Sequence, residues 1–367
     1  MTQKILEILI PTYLRPQAAI AAIDSVLAAA DQRVAVACHS NCPDLELELA
    51  AKQRPALRYG SFPENRGAVA NFRKMLEESR GDYVMFLSDE DRIDHKHLGS
   101  FVNFLSGKQY GFVLCNIVES SGAQYFSITS LQIEMLSAHD LLVLFTLHPT
   151  YLSGYCFRRD LLSEELISAN FESDDSNVYP HLLLRNAIAG YESVGLFAGD
   201  IIIKGVEANF GGDSHSHVAQ SAAVKHNHHQ QYLNPRIYGQ GARARQLYYL
   251  VPRLEMWLKG SSVFRRGYVN FYVLSAWLNI THDAHKHVDA MTDIPSLRAT
   301  IGDYKSANKR MSGLIGSYNR ILLMKSVVLR GMVIKVMWQL AKLVKLILFI
   351  RRFGFARTRA FVAGKGD

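Results

Sequence analysis

Residues 5–87 alternate short apolar runs with segments of helical periodicity, and few folds accommodate that alternation. Ile5–Ile10 reads as an apolar strand closed by Pro11-Thr12-Tyr13, and Pro16 suits the first turn of a helix, where its missing N–H costs nothing. Ile20, Ile23, Leu27 and Ala30 follow at helical spacing. Val34–Cys38 reads as a second strand, Asp44–Gln53 as a helix and Leu57–Tyr59 as a third short strand. Asn65 stands where it would cap the next helix, whose inner stripe is Val69, Phe72 and Leu76. Tyr83–Leu87 is a continuous apolar run, the pattern of a central strand covered on both faces. Serial β-α-β units of this kind predict an α/β fold with a doubly wound, mostly parallel sheet. Ligands of such sheets sit beyond the carboxyl ends of the strands. Strand signals fade beyond about residue 215 and helical periodicity dominates 236–350. The predicted division is therefore 1–215 and 216–367, with the boundary in the His-rich stretch 211–231.

Ser88-Asp89-Glu90-Asp91 follows the apolar strand directly. Three adjacent carboxylates repel one another unless a cation or hydrogen-bond donors neutralise them. Mg²⁺ or Mn²⁺ held by one or two carboxylates and a substrate diphosphate supplies that neutralisation and stabilises charge on a departing diphosphate. The alternative is an acidic surface turn that caps the following helix. The four cysteines, Cys38, Cys42, Cys115 and Cys156, form no C-x-x-C pair and no recognised zinc spacing, and read as reduced thiols of a cytosolic protein. No signal peptide is expected, and no uncharged apolar run reaches the ~20 residues of a membrane span.

The segments Ile8-Leu9-Ile10-Pro11-Thr12-Tyr13-Leu14-Arg15-Pro16, Pro63-Glu64-Asn65-Arg66-Gly67 and Tyr83–Asp91, in this order and spacing, resemble glycosyltransferase family 2, inverting enzymes of the GT-A fold. The resemblance covers residues 1 to about 115 well and 150–215 loosely, and is nearest to bacterial surface-polysaccharide and O-antigen transferases of abequosyltransferase-like type. It implies a nucleotide-sugar donor and a saccharide acceptor, of which a lipid-linked saccharide is the expected form. It implies nucleoside contacts at Pro11, Thr12 and Tyr13, a diphosphate contact at Arg15, and donor contacts at Asn65, Arg66 and Gly67. Asp89 and Asp91 match the metal-site aspartates, and Glu90, the variable middle position, is expected toward the donor sugar. Where the family carries an acidic base-reading stretch, this chain has Cys38-His39-Ser40-Asn41-Cys42-Pro43-Asp44. Asn41 and Asp44 can be matched, but the expected carboxylate falls near Ser40, so the base of the donor stays undefined.

An inverting transferase needs a general base for the acceptor hydroxyl. The acidic segment Glu172, Asp174 and Asp175 offers candidates, with Asp174 or Asp175 preferred; the alternative is ordinary helix capping. Tyr151–Tyr155 matches the family's acceptor-side loop, and His181 is a candidate pocket residue. The histidines at 215, 217, 226, 228 and 229 fit no structural zinc spacing and read as loop residues, although His215 or His217 falls where GT-A enzymes often add a metal ligand.

The formal net charge of +8 is concentrated late in the chain. In residues 331–352, Lys335, Gln339, Lys342 and Lys345 share one arc, opposite Val336, Leu340, Leu343, Val344, Ile347 and Leu348. Three lysines disfavour a membrane span, whereas a basic edge beside a wide apolar face suits a helix lying in an anionic membrane interface at the inner face of the cell membrane. The alternative is a helix that packs on the catalytic domain or mediates a homodimer. The long apolar face disfavours nucleic acid as its partner. Two other functions stay open: a sugar nucleotidyltransferase, whose Gly-rich first loop is replaced here by Pro11–Arg15, and a non-catalytic GT-A-like membrane scaffold, which the intact Asp89-Glu90-Asp91 argues against.

Overall fold

A computed structural model describes residues 4–145, 151–171, 177, 179–189, 192–205 and 327–363. It also describes positions 253, 257, 262, 267–269, 271–273, 275, 276, 320 and 321. The first unit alternates β1 (Leu6–Thr12), α1 (Pro16–Leu27), β2 (Val34–Ser40), α2 (Leu45–Lys52), β3 (Leu57–Ser61), α3 (Ala68–Glu77) and β4 (Tyr83–Phe86). Pro16 opens α1 as expected, and Asp44 caps α2 by accepting from the Leu47 N–H at 3.1 Å. The buried face of α1 is Ala19, Ala22, Ile23 and Val26, rotated by about one position from the expected stripe, of which Ile23 is buried and Ile20 and Leu27 pack half-buried at its edge. Asn65 does not cap α3. Gly67 does, at a φ of 84° that a side chain would resist.

The remaining elements are β5 (Arg92–Ile93), α4 (His95–Gly107), β6 (Phe112–Glu119), β7 (Gln124–Phe126), β8 (Met135–Leu136), α5 (Ala138–Phe145), β9 (Cys156–Arg158), α6 (Glu164–Asn170), α7 (Pro180–Ala189) and β10 (Val194–Lys204). They join one sheet in the order β3-β2-β1-β4-β9-β6-β10-β5, with β7 beside β6 and β8 beside β10. β3, β2, β1 and β4 run parallel, as do β6 and β10, whereas β9 lies antiparallel between β4 and β6. The parallel expectation thus holds for the first four strands, and the second part of the sheet is mixed. β1 and β4 are buried along their whole length, as continuous apolar runs require.

The strand order reverses at β1, so the crevice at the carboxyl ends of β1 and β4 is the switch point of the sheet. Two later pairings close on that crevice. The approach to β9 runs past the end of β4, where Phe86 N–H donates to the Tyr155 carbonyl at 3.1 Å and Gly154 N–H to the Phe86 carbonyl at 3.0 Å. β5 pairs antiparallel with the end of β10, which brings residue 205 beside Asp91.

A long helix, α8 (Val327–Phe353), turns at Gly354 into α9 (Phe355–Ala363). One face of α8 packs: Ile334, Ala341, Phe349 and Phe353 are buried, with Phe349 5.7 Å from the Phe145 ring and 5.1 Å from Phe361. Trp338 stacks on Tyr272 at 5.5 Å, and Arg352 pairs with Asp140 at 2.8 Å. The expected single apolar arc is divided. Val344 and Leu348 turn inward, while Val336, Leu340, Leu343 and Ile347 stay exposed, in line with Leu329 and Met332. Among the described residues no helix is long and apolar enough to cross a membrane.

The two faces of α8 are expected to respond differently to truncation. Phe349→Ala should cost about 3 kcal/mol of unfolding free energy through the cavity it leaves. Val336→Ala, on the open face, should stay within about 0.5 kcal/mol. Equilibrium urea denaturation of the two variants checks this.

Candidate active site

The loop after β4 delivers Asp89, Glu90 and Asp91 to the switch point, where Asp89 and Asp91 are fully buried and Glu90 half-buried. Each carboxylate is held by chain segments distant in sequence. Thr12, the last residue of β1, donates its hydroxyl to Asp89 Oδ2 at 2.7 Å. Arg15, at the start of α1, spans two carboxylates, with Nη2 2.5 Å from Asp89 Oδ1 and Nη1 3.1 Å from Glu90 Oε2. Leu14, just before it, takes a φ of 53°, so the turn aims Arg15 at the acidic loop at some conformational cost.

Asp91 has a different set of partners. Its Oδ1 accepts from the Tyr151 hydroxyl at 2.6 Å and from the Gly205 N–H at 2.9 Å, and its Oδ2 accepts from the Ser153 hydroxyl. Ser153 Oγ also accepts from the Ser88 N–H at 2.7 Å, so one hydroxyl ties the segment before β9 to both ends of the acidic loop. Lys204 lies over the Tyr125 ring at 4.4 Å and the Tyr151 ring at 5.8 Å.

Burial is the largest influence on all three carboxyls and pushes each above the usual carboxylate range. Arg15 and Thr12 pull Asp89 back down, Arg15 does so for Glu90, and Ser153, Tyr151 and the Gly205 N–H do so for Asp91. Burial and the neighbouring Asp91 charge push the Tyr151 hydroxyl upward, which keeps it a donor.

The expected donor-contact residues Pro11, Thr12, Tyr13, Asn41, Asn65, Arg66 and Gly67 gather at the ends of β1 and β2. Asn41 N–H donates to the Thr12 carbonyl at 2.9 Å, its Nδ2 donates to Asn65 Oδ1 at 2.6 Å, and its Oδ1 accepts from the Arg66 N–H at 3.1 Å. Asn65 Oδ1 also accepts from the Gly67 N–H at 2.9 Å, and Tyr13 hydrogen-bonds the Asn65 side chain. Asn65 is therefore a brace between loops rather than a helix cap. Arg66 is exposed, with its guanidinium 5.3 Å from the Phe62 ring centre. His181 is buried edge-on against Tyr155 at 4.7 Å. The base candidates Glu172, Asp174 and Asp175 and the metal candidates His215 and His217 lie outside the described residues.

The contacts that sequence reasoning missed are those of Tyr151, Ser153 and Gly205 with Asp91. Sixty or more residues separate each from Asp91, and no spacing rule connects them.

No group of three or more His, Cys, Asp or Glu side chains converges among the described residues. A catalytic Mg²⁺ or Mn²⁺ does not require one, because substrate phosphates and water complete its shell around one or two carboxylates. The donors here are oxygens, and the hydrogen-bond donors on Asp91 are neutral, so a hard divalent cation fits this loop.

Residues 7–166 match the family model of glycosyl transferase family 2, a span that runs from β1 into α6 and includes the whole acidic loop. No match was found among curated proteins. The fold is shared with S. aureus TarS 1-349, at 12% identity over 96% of this chain and 92% of that one, with a TM-score of 0.53. The same fragment in complex with UDP-GlcNAc gives 12% identity, 95% and 92% coverage and a TM-score of 0.54. Against a longer S. aureus TarS structure the values are 13% identity, 86% of this chain, 53% of that one and a TM-score of 0.53. The chain thus has a GT-A-like α/β fold with a helical C-terminal region.

Gly205 makes the crevice testable. A Cβ there would stand 2.0 Å from the Glu90 carbonyl oxygen. Gly205→Ala is therefore expected to push residues 89–91 out of place and to cost about 1–3 kcal/mol of unfolding free energy. Equilibrium urea denaturation reads the loss.

Proposed function

We propose that the chain is an inverting, metal-dependent glycosyltransferase of family 2 that moves a sugar from a nucleoside diphosphate to a saccharide acceptor, in the assembly of a surface polysaccharide. The observation that carries this reading is the acidic loop Asp89-Glu90-Asp91, gathered at the switch point and braced by Thr12, Arg15, Tyr151, Ser153 and Gly205. The family match over residues 7–166 supports it, as does the fold shared with TarS.

In this reading the ends of β1 and β2 seat the nucleoside, with Pro11, Thr12 and Tyr13 on one side and Asn41, Asn65 and Gly67 on the other. Arg15 and Arg66 face the diphosphate, and Glu90 faces the sugar. Asp91, with Asp89, would hold Mg²⁺ or Mn²⁺, which would neutralise charge on the departing diphosphate. His215 is proposed as a further ligand. Asp174 or Asp175 takes the proton from the acceptor hydroxyl as that oxygen attacks the anomeric carbon. The glycosidic bond forms as the bond to the diphosphate breaks, and the configuration inverts.

Asp91→Asn is expected to lower transfer by about a hundredfold or more while the protein stays folded, and excess EDTA should do the same to the wild type. Full transfer in either case would sink the metal reading. Of Asp174→Asn and Asp175→Asn, one should lose turnover by about 10²–10⁴ and keep donor affinity. Normal rates in both would move the base to Glu172.

We also propose that the protein works on a lipid-linked acceptor, as a peripheral protein of the cytoplasmic membrane face. The supporting observation is the open stripe of α8, where Leu329, Met332, Val336, Leu340, Leu343 and Ile347 are exposed beside Lys335 and Lys342. Residues 327–363 contain no Asp or Glu. Apolar burial and attraction to anionic lipid would act together there. Replacing Leu340 and Leu343 with Ser, and Lys335 and Lys342 with Glu, should release the protein from anionic vesicles without lowering its melting temperature. Salt should weaken wild-type binding, since the Debye length falls from ~10 Å at 0.1 M to ~3 Å at 1 M. Unchanged co-sedimentation, or a concentration-dependent dimer lost in the variant, would overturn the membrane assignment.

A further inference from the structure

Arg15 does in this chain what a divalent cation would do. Its guanidinium bridges Asp89 and Glu90 at 2.5 Å and 3.1 Å, and its own side chain is 30% exposed against 0% for Asp89. Thr12 donates to the other oxygen of Asp89, so each oxygen of the buried carboxylate meets one group, a cation or a hydroxyl. The planar fork of Arg suits such two-point contact, and the same fork matches a diphosphate. A second cation entering this loop meets both a competitor for the carboxylates and a like charge.

We propose that Arg15 couples divalent-ion binding to donor binding: it neutralises Asp89 and Glu90 until the donor arrives, then pairs with the donor's diphosphate and leaves the carboxylates to the ion. The proposal rests on the donor reading above. Each ligand then favours the other. The ion displaces Arg15 toward the diphosphate, and the diphosphate draws Arg15 away from the carboxylates. By linkage the factor is the same in both directions. Partial exposure leaves the side chain room to move, whereas Asp89, pinned by Thr12, stays in place.

The test is calorimetric titration of Mn²⁺ into the full chain, alone and with saturating UDP, GDP, CDP or dTDP, for the wild type, Arg15→Gln and Arg15→Lys. Arg15→Gln should bind Mn²⁺ alone about tenfold more tightly than the wild type, and nucleotide should then raise its Mn²⁺ affinity far less. Arg15→Lys, a point charge without the fork, should fall between. If Arg15→Gln does not fold, Arg15→Lys carries the same comparison. A purely structural role for Arg15 predicts the opposite sign, with a distorted loop and weaker Mn²⁺ binding. Equal or weaker binding of Mn²⁺ alone in both variants, beside a wild type that binds nucleotide, overturns the coupling alone. A wild type that binds none of the four nucleotides overturns the transferase reading and the coupling with it.

Discussion

Three neighbouring carboxylates, two of them fully buried and one half-buried, set the constraint that the rest of the site must meet. Asp89 and Asp91 are fully buried at the end of a central strand, and burial of like charges is unfavourable unless donors or cations surround them. The architecture around the loop reads as an answer to that requirement. Donors arrive from the end of β1, from the turn into α1, from the segment before β9 and from the end of β10. Remove the loop's charge and these contacts lose their purpose; remove the contacts and the charge cannot stay buried.

The mixed second part of the sheet follows from the same need. A wholly parallel continuation would lead each strand away from the switch point through a crossover helix. The three-residue antiparallel β9 instead lets residues 151–155 run across the end of β4, with Phe86 hydrogen-bonded to both Gly154 and Tyr155. β10, with register shifts around Asp200, ends against β5 and sets Gly205 on Asp91. The close approach of that backbone to the Glu90 carbonyl leaves no room for a side chain.

What could be read from the sequence was local. The periodicity of residues 5–87, the proline at the start of α1 and the acidic run after β4 each depend on neighbours within a few positions, and each is found where the chain pattern puts it. The cap of α3 was misplaced because Asn65 has good capping chemistry but its side chain is engaged by Asn41 and the Gly67 N–H. The stripe of α1 is rotated by about one position because Ala19 and Ala22, which carry little hydropathy, form part of the buried face. β9 is too short to show alternation, and the contacts of Asp91 span 60 to 114 residues. Such contacts are set by sheet register, which no local pattern encodes. The apolar arc of α8 was visible, but its division between a packed and an open face depends on where Phe145 and Tyr272 lie.

The two aspartates of the loop are equally buried yet are not equivalent. Asp89 faces a guanidinium and a hydroxyl, so its charge is compensated within the chain. Asp91 faces two hydroxyls and a backbone N–H, which lower the cost of its charge without cancelling it. Lys204 offers only a distant contribution, drawn as it is over the faces of Tyr125 and Tyr151. One guanidinium, Arg15, is thus shared by Asp89 and Glu90, while Arg92 donates to the carbonyls of Asp89 and Asp91 and feels the charge of both.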